Sequence, residues 1–393
     1  MIGERLPLTV GPVAPGGHCV ARTAEGQVVF VRHALPGEEV LAEVTEEHRG
    51  YLRADAVSVR VASPDRVAPP CRYAGRCGGC DFQHVAPAAQ RELKAAVVRE
   101  QLTRLAGLSV AQVQDLGVRV AELPGGPLGW RTRVRYTVDA AGRAGLLAHR
   151  SHEVVPVDRC LIAHPAIRDL PVTSTGWPVD NQVGTVASGT GEVAVYGDRS
   201  GPVSGSGTVR ERALGRDWQV ELDSFWQVHP AAADTLAGAV LDLLRPEPGE
   251  RAWDLYGGAG LFAAALAGAG VEVTLVEGDR AGAEAARANL ADLPAVQVVR
   301  ASVERFRPPY PPDLVVLDPP RTGAGAAVVR SIVAAGPRAV AYVSCDPASF
   351  ARDVGTFGAA GWRLAALRAY DAFPMTGHVE SVGLLVRTAM EDV

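Results

Sequence analysis

Lysine is all but missing from this sequence: Lys94 is the single one, and the other basic residues among the 39 are arginines. The replacement reads as a GC-rich coding bias, yet it has a chemical consequence. Guanidinium forks bind phosphate through paired hydrogen bonds and stack on bases, whereas an ammonium is a point charge. Positive charge in excess is also lacking. The formal net charge is −5, which argues against a protein wrapped throughout in nucleic acid but leaves room for a local basic groove. The sequence holds no uninterrupted apolar run of about 18 residues, so no membrane span is expected. The first residues, MIGERLPLTVG, lack the basic and apolar stretches of a secretory signal, and the expected location is the cytoplasm. Cysteine is scarce, six in 393 residues, yet three stand in CRYAGRCGGC, residues 71–80. In a reducing compartment such a cluster reads as metal ligands or catalysts rather than disulfides.

What is present divides into three regions, in keeping with a length that implies two or three domains. Residues 1–62 read as all-β, with QVVFVRH, EEVLAEVTEE and LRADAVSV separated by glycine turns, the pattern of a small OB-like barrel. Cys19 stands alone there and reads as a small buried thiol. Residues 63–224 form a central α+β region that opens with the cysteine cluster. A helix is expected near 87–107, with Leu93, Val97, Leu102 and Leu105 as its apolar residues and Gly107 as its stop. In WRTRVRYTVD the alternation puts Arg131, Arg133 and Arg135 on one strand face, either solvated or reading phosphate. The stretch TSTGWPVDNQVGTVASGTGE reads as loop. Residues 225–393 alternate strand and helix, which predicts a doubly wound, mostly parallel sheet with ligands at the carboxyl ends of its strands.

Those ends carry the chemistry. AWDLYGGAGLF sets Asp254 in a strand and Gly257, Gly258 and Gly260 in the turn after it, where backbone can approach a ligand at a helix N-terminus. The spacing is not that of a dinucleotide fold. Glu277 ends the next strand and suits two ribose hydroxyls. With no phosphate-seeking pattern, a nucleoside-type ligand such as S-adenosylmethionine fits. The fourth strand ends in LDPPR, Asp318 to Arg321, whose prolines force a rigid exit. The fifth ends in VSCDP with Cys345 at its tip, a nucleophile if its thiolate forms. His378 and Glu380 lie just before the last strand.

In this order the motifs resemble the S-adenosylmethionine-dependent RNA 5-methyluridine methyltransferases, most of all the bacterial 23S ribosomal RNA uracil-C5 methyltransferases with a TRAM domain and an iron–sulfur cluster. The resemblance runs along essentially the whole chain: barrel, C-x5-C-x2-C, a later single cysteine, F-x-Q-V, glycine turn, DPPR, SC-x-P and HVE. It implies a Rossmann-like class I methyltransferase domain behind a TRAM barrel and a cluster-bearing central domain. By motif position it implies Cys345 as nucleophile and Glu380 as general base. Gln227, Tyr256, Glu277 and Asp318 would contact S-adenosylmethionine. Cys71, Cys77, Cys80 and Cys160 would hold a 4Fe–4S cluster, although spacing alone suits zinc as well. The implied partner is RNA, ribosomal rather than transfer RNA because transfer-RNA relatives generally lack barrel and cluster, and the chain is expected to be a monomer. Three positions depart from the pattern: Gly258 where cysteine is frequent, Asp346 and His229 where asparagine is common.

Two other readings compete. An RNA 5-methylcytosine methyltransferase would carry a second cysteine on the fourth strand, where this chain has DPPR. A non-catalytic RNA-binding protein would not need Cys345 and Glu380 intact.

Overall fold

The apolar residues of 225–388 collect on the two faces of one sheet, which the computed structural model shows to have eight strands. The structure describes residues 1–307 and 310–388. Across the sheet the strands run Val296–Arg300, Glu272–Glu277, Arg251–Leu255, Leu314–Leu317, Ala339–Ser344, Glu380–Arg387, Trp362–Asp371 and Val120–Glu122. The first five are mutually parallel; Glu380–Arg387 runs against both of its neighbours. Helices Ala232–Leu244, Leu261–Gly268 and Arg280–Asn289 cover one face. Gly325–Ala335 and Pro347–Ala359 cover the other. This is the doubly wound arrangement expected from the alternation of strand and helix. Burial on both faces explains why strands such as Leu314–Leu317 and Ala339–Ser344 are apolar throughout.

The N-terminal region is a six-stranded sheet folded around its own core of Leu8, Val29, Val31, Val40, Val44 and Leu52. The three expected runs are its strands Val28–Arg32, Glu39–His48 and Tyr51–Val61. Three further strands, Arg5–Thr9, Val13–Ala14 and His18–Arg22, complete it. Cys19 is buried, with its thiol 3.3 Å from the Ala34 carbonyl.

The central region contributes a second six-stranded sheet and a hairpin, Thr208–Ala213 with Arg216–Glu221. The stretch read as loop holds an inner strand of that sheet, Gln182–Ala187. Gly184 disguises it: a Cβ there would collide with the Tyr196 ring on the neighbouring strand. The hairpin's Trp218 is fully buried in the catalytic core.

Helix Pro87–Arg104 lies between the domains. Val97 and Leu93 pack on the barrel, while Ala95, Val98 and Leu102 pack against Phe350 and Val354 of the catalytic domain. A helix covered on two sides buries polar positions too, and Gln90, Lys94 and Gln101 are buried. That is why its single apolar stripe describes it incompletely. Among the described residues no helix is long and apolar enough to cross a membrane.

Candidate active site and cysteine cavity

The sheet brings the candidate residues together by register. Asp254 lies in Arg251–Leu255, Glu277 ends the adjacent strand, and Asp318 follows Leu314–Leu317. Cys345 follows Ala339–Ser344, and Ser344 pairs with Ser381 on the antiparallel strand. Cys345 follows Ser344 and Glu380 precedes Ser381, near enough for the Glu380 charge to act on the thiol. The strand reversal therefore delivers a carboxylate to the edge where the parallel strands end.

The electrostatics fit a site built for proton movement. Burial, followed by the nearby Glu380, pushes the Cys345 thiol up to about 11, against the pull of Arg321. Burial also holds Glu380 well above the usual carboxylate range, with Asp318 adding to the shift and Arg321 opposing it. Asp318 is pushed up to about 7 by burial. A group of acids with raised pKa values is a mark of functional sites. The exposed Arg321 is the cation common to Cys345, Glu380 and His378. The sequence signal for it was adjacency, as it directly follows Asp318-Pro-Pro. Burial drives the His378 imidazole down to about 4, and it packs edge-on against Phe373, 6.0 Å between centroids.

Along the same edge, the Glu277 carboxylate accepts hydrogen bonds from the backbone N–H of Gly258 at 2.9 Å and of Asp279 at 2.7 Å. The turn is tight. A Cβ on Gly257 would collide with Leu275, whereas one on Gly258 would meet nothing within 4 Å. Gly258 is thus favoured by its positive φ of 51° and not by crowding, and a cysteine there has room. Tyr256 adopts a left-handed φ of 62°, a strained conformation for a bulky residue. Asp254 is fully buried: Oδ2 accepts from the Ala263 N–H at 2.8 Å and Oδ1 has no partner. Gln227 is buried. An orphan buried carboxylate oxygen at this edge fits a polar cofactor.

The other departures have local explanations. Asp346 caps helix Pro347–Ala359 by accepting from the Ser349 N–H at 2.7 Å, a task asparagine does equally well. His229 stacks on Trp130 at 6.2 Å and accepts from the Ala231 N–H through Nδ1, while Nε2 is buried without a partner.

Cys71, Cys77, Cys80 and Cys160 line one cavity, with Arg131 at its wall. Burial, then the Gln83 amide pulling against its neighbouring thiols, leaves Cys80 at about 12; burial and nearby thiols also raise Cys77. Among the described residues, no three His, Cys, Asp or Glu side chains are grouped to hold one metal ion. Of the three arginines on the strand face, Arg133 is committed to Glu211 at 3.1 Å, both nearly buried, and Arg135 is exposed.

A clamp missed from sequence joins this cavity to the catalytic edge. The Asp81 and Phe82 N–H groups, directly after Cys80, both donate to the Met375 carbonyl at 2.9 Å. The Asp81 carboxylate accepts from the Gly377 N–H at 2.9 Å, and Gln90 accepts from the Met375 N–H. The loop leading to Glu380 is therefore held by the cysteine segment and the interdomain helix.

The TRAM domain family description matches residues 1–57, and tRNA (Uracil-5-)-methyltransferase matches residues 208–388. An RNA methyltransferase of Streptomyces avermitilis is 48% identical, over 98% of both chains. One of Corynebacterium efficiens is 37% identical, over 98% of this chain and 95% of that one. The chain belongs to the RNA (uracil-C5)-methyltransferase family. This methyltransferase is S-adenosylmethionine-dependent, and its N-terminal sheet is a TRAM domain. A tRNA (uracil-54, C5)-methyltransferase of Pyrococcus abyssi, solved with S-adenosyl-L-homocysteine, shares the fold at a TM-score of 0.73 and 23% identity, over 96% of this methyltransferase and 99% of that chain. A transfer-RNA enzyme thus has the whole architecture, barrel included.

Proposed function

We propose that this methyltransferase modifies a uridine of ribosomal RNA, with Cys345 as the nucleophile and Glu380 as the base. The observation that carries the reading is that Cys345 and Glu380 lie at the ends of two neighbouring strands, within electrostatic reach of each other and of Asp318 and Arg321.

Uracil C5 is a weak nucleophile. The Cys345 thiolate adds to C6, and the displaced electron pair makes C5 enolate-like. C5 then bonds the methyl group. Glu380 takes the proton from C5, and the C6–sulfur bond breaks to restore the ring and the thiolate. Bound S-adenosylmethionine supplies the methyl group. Glu277, fixed by two backbone N–H groups, is poised for ribose hydroxyls. Gln227, Tyr256 and Asp318 complete the cofactor contacts. The target base must leave its stack to reach Cys345.

Cys71, Cys77, Cys80 and Cys160 would hold a 4Fe–4S cluster. Four thiols around one cavity suit such a cluster and would also suit zinc; the resemblance to the cluster-bearing enzymes favours the cluster. Methyl transfer is redox-neutral, so the cluster would supply a rigid anchor for the Cys80–Phe82 segment and the loop it clamps.

The resemblance to the cluster-bearing ribosomal enzymes favours ribosomal RNA. The second reading, transfer RNA, is favoured by the name of the matching family and of the Pyrococcus enzyme. Tritium release decides. Anaerobically purified protein is given S-adenosylmethionine and unmodified ribosomal or transfer RNA, labelled at C5 of uridine or of cytidine. Release from ribosomal uridine, lost in Cys345→Ala, is expected. Release from transfer RNA alone moves the substrate, release from cytidine moves the base, and release from none overturns the reading.

A further inference from the structure

The turn that carries Arg321 is held by a side chain from another element. The Gly323 N–H donates to the Pro320 carbonyl at 2.8 Å, so Arg321 and Thr322 form the corner of the turn after Asp318-Pro-Pro. Helix Gly325–Ala335 starts directly beyond it, and its N-cap residue, Ala324, has no side chain that can satisfy the first N–H groups. Asp353 does so instead, from helix Pro347–Ala359. Its Oδ2 accepts from the Ala324 N–H at 2.8 Å and from the Tyr342 hydroxyl at 2.6 Å, and both carboxylate oxygens lie 3.2 Å from the Gly325 nitrogen. Tyr342 is fully buried and Asp353 nearly so. The fit leaves no slack: a Cβ on Gly323, whose φ is 87°, would come within 2.8 Å of Asp353 Oδ2.

The helix that supplies Asp353 also reaches the other two parts of the proposed chemistry. Its N-cap is Asp346, the residue after Cys345. Its Phe350 packs edge-on against Tyr342, 5.2 Å between centroids. A Cβ on Gly383, in the strand that opens with Glu380, would lie 2.6 Å from Phe350 Cζ. One helix thus meets the strand end of the nucleophile, the strand of the base and the Arg321 turn. Capping helix Gly325–Ala335 would need only a serine or aspartate at position 324. A carboxylate on the nucleophile's own helix does more, because it ties the turn to Cys345.

We propose that Asp353 is a positioning residue for the methyl transfer, holding the Pro320–Gly323 turn so that Arg321 stays within electrostatic reach of Cys345 and Glu380. The proposal deepens the reaction set out above and rests on Cys345 as its nucleophile. Asp353 acts through Arg321 and touches no reacting atom.

Asp353→Asn keeps the shape of the side chain but turns a donor toward groups that themselves donate. Full-length parent and variants are alkylated with iodoacetamide across a range of pH, and the rate is read at the peptide containing Cys345. Arg321 favours the thiolate, so the midpoint should move to higher pH in Asp353→Asn, as in Arg321→Gln. Turnover on the RNA that the parent methylates should fall about 10- to 100-fold, the effect of a group displaced by about 1 Å. In the double variant the midpoint should move no further than in Arg321→Gln alone, since a residue working only through Arg321 has nothing left to move. Tyr342→Phe removes one donor, keeps the buried ring, and should shift the midpoint the same way by less. A folded Asp353→Asn with the parent's midpoint overturns the proposal. Shifts that add in full overturn it too, because Asp353 then acts by a route other than Arg321. Where Asp353→Asn does not fold, an unchanged midpoint in Tyr342→Phe overturns it. Alkylation needs neither RNA nor turnover. A parent that releases no tritium from any RNA sinks the reaction, while a midpoint that still moves in Asp353→Asn leaves the placing of Arg321 standing.

Discussion

Lys94, the only lysine in the chain, is buried and its ammonium lies 2.5 Å from the Asp371 carboxylate at the end of strand Trp362–Asp371. Nζ also donates to the Phe373 carbonyl at 3.0 Å, so one side chain from the interdomain helix fixes the start of the loop that leads to Glu380. An arginine would not fit as readily: the site offers one carboxylate and one carbonyl to a compact point charge.

Removing one partner of a buried pair strands the other. Lys94→Met leaves Asp371 buried and uncompensated, and should cost about 3–5 kcal/mol in denaturant unfolding. Lys94→Met with Asp371→Leu should recover most of that loss. A single variant as stable as the parent would show that the pair does not hold the helix to the sheet.

Glu380→Gln separates the two halves of the proposed chemistry. Addition of Cys345 and methylation need no base at C5, whereas release does. Turnover should fall by about 10²–10⁴, and a covalent protein–RNA complex should accumulate on denaturing gels only when S-adenosylmethionine is present. Adding Cys345→Ala should abolish that complex. Loss of turnover without a complex would remove Glu380 from the release step.

The catalytic half was legible because parallel strands buried on both faces read as apolar runs, and their functional residues sit just past the ends of those runs, as Asp318 and Cys345 do. Gln182–Ala187 was hidden because Gly184 and Thr185 break its pattern; the contact that requires the glycine is with Tyr196, on the adjacent strand. Lys94 and Asp81 were illegible for a different reason. Their partners, Asp371 and Gly377, lie 277 and 296 residues away, and no local period records such a pairing. The cysteines were legible as a set through spacing, but that they line one cavity is a fact of the tertiary fold.

The free enzyme holds protons where the reaction needs them gone. Cys345 is pushed up to about 11 and Glu380 lies well above the carboxylate range. Both must be deprotonated to act, so kcat/KM should climb with pH from about 6 to about 9 without the early plateau of an ordinary carboxylate. Arg321 lowers both groups, so Arg321→Gln should shift the rise to higher pH. A profile flat across this range would contradict the assignment.

Asp254 gives the opposite sign for stability. Burial, opposed only in part by the Ala263 N–H, pushes it up to about 8, with Asp318 and Glu277 adding to the shift. The folded protein therefore keeps a proton that the unfolded chain has released, and stability falls as pH rises from about 4 to about 8, at up to ~1.4 kcal/mol per pH unit for this group. Asp254→Asn carries no proton to lose, and its amide oxygen still accepts from the Ala263 N–H. Urea unfolding of the cofactor-free protein at several pH values should show the parent losing stability over that window and the variant losing less. Equal slopes would mean that Asp254 is ionised in the folded protein, its Oδ1 satisfied by some other group.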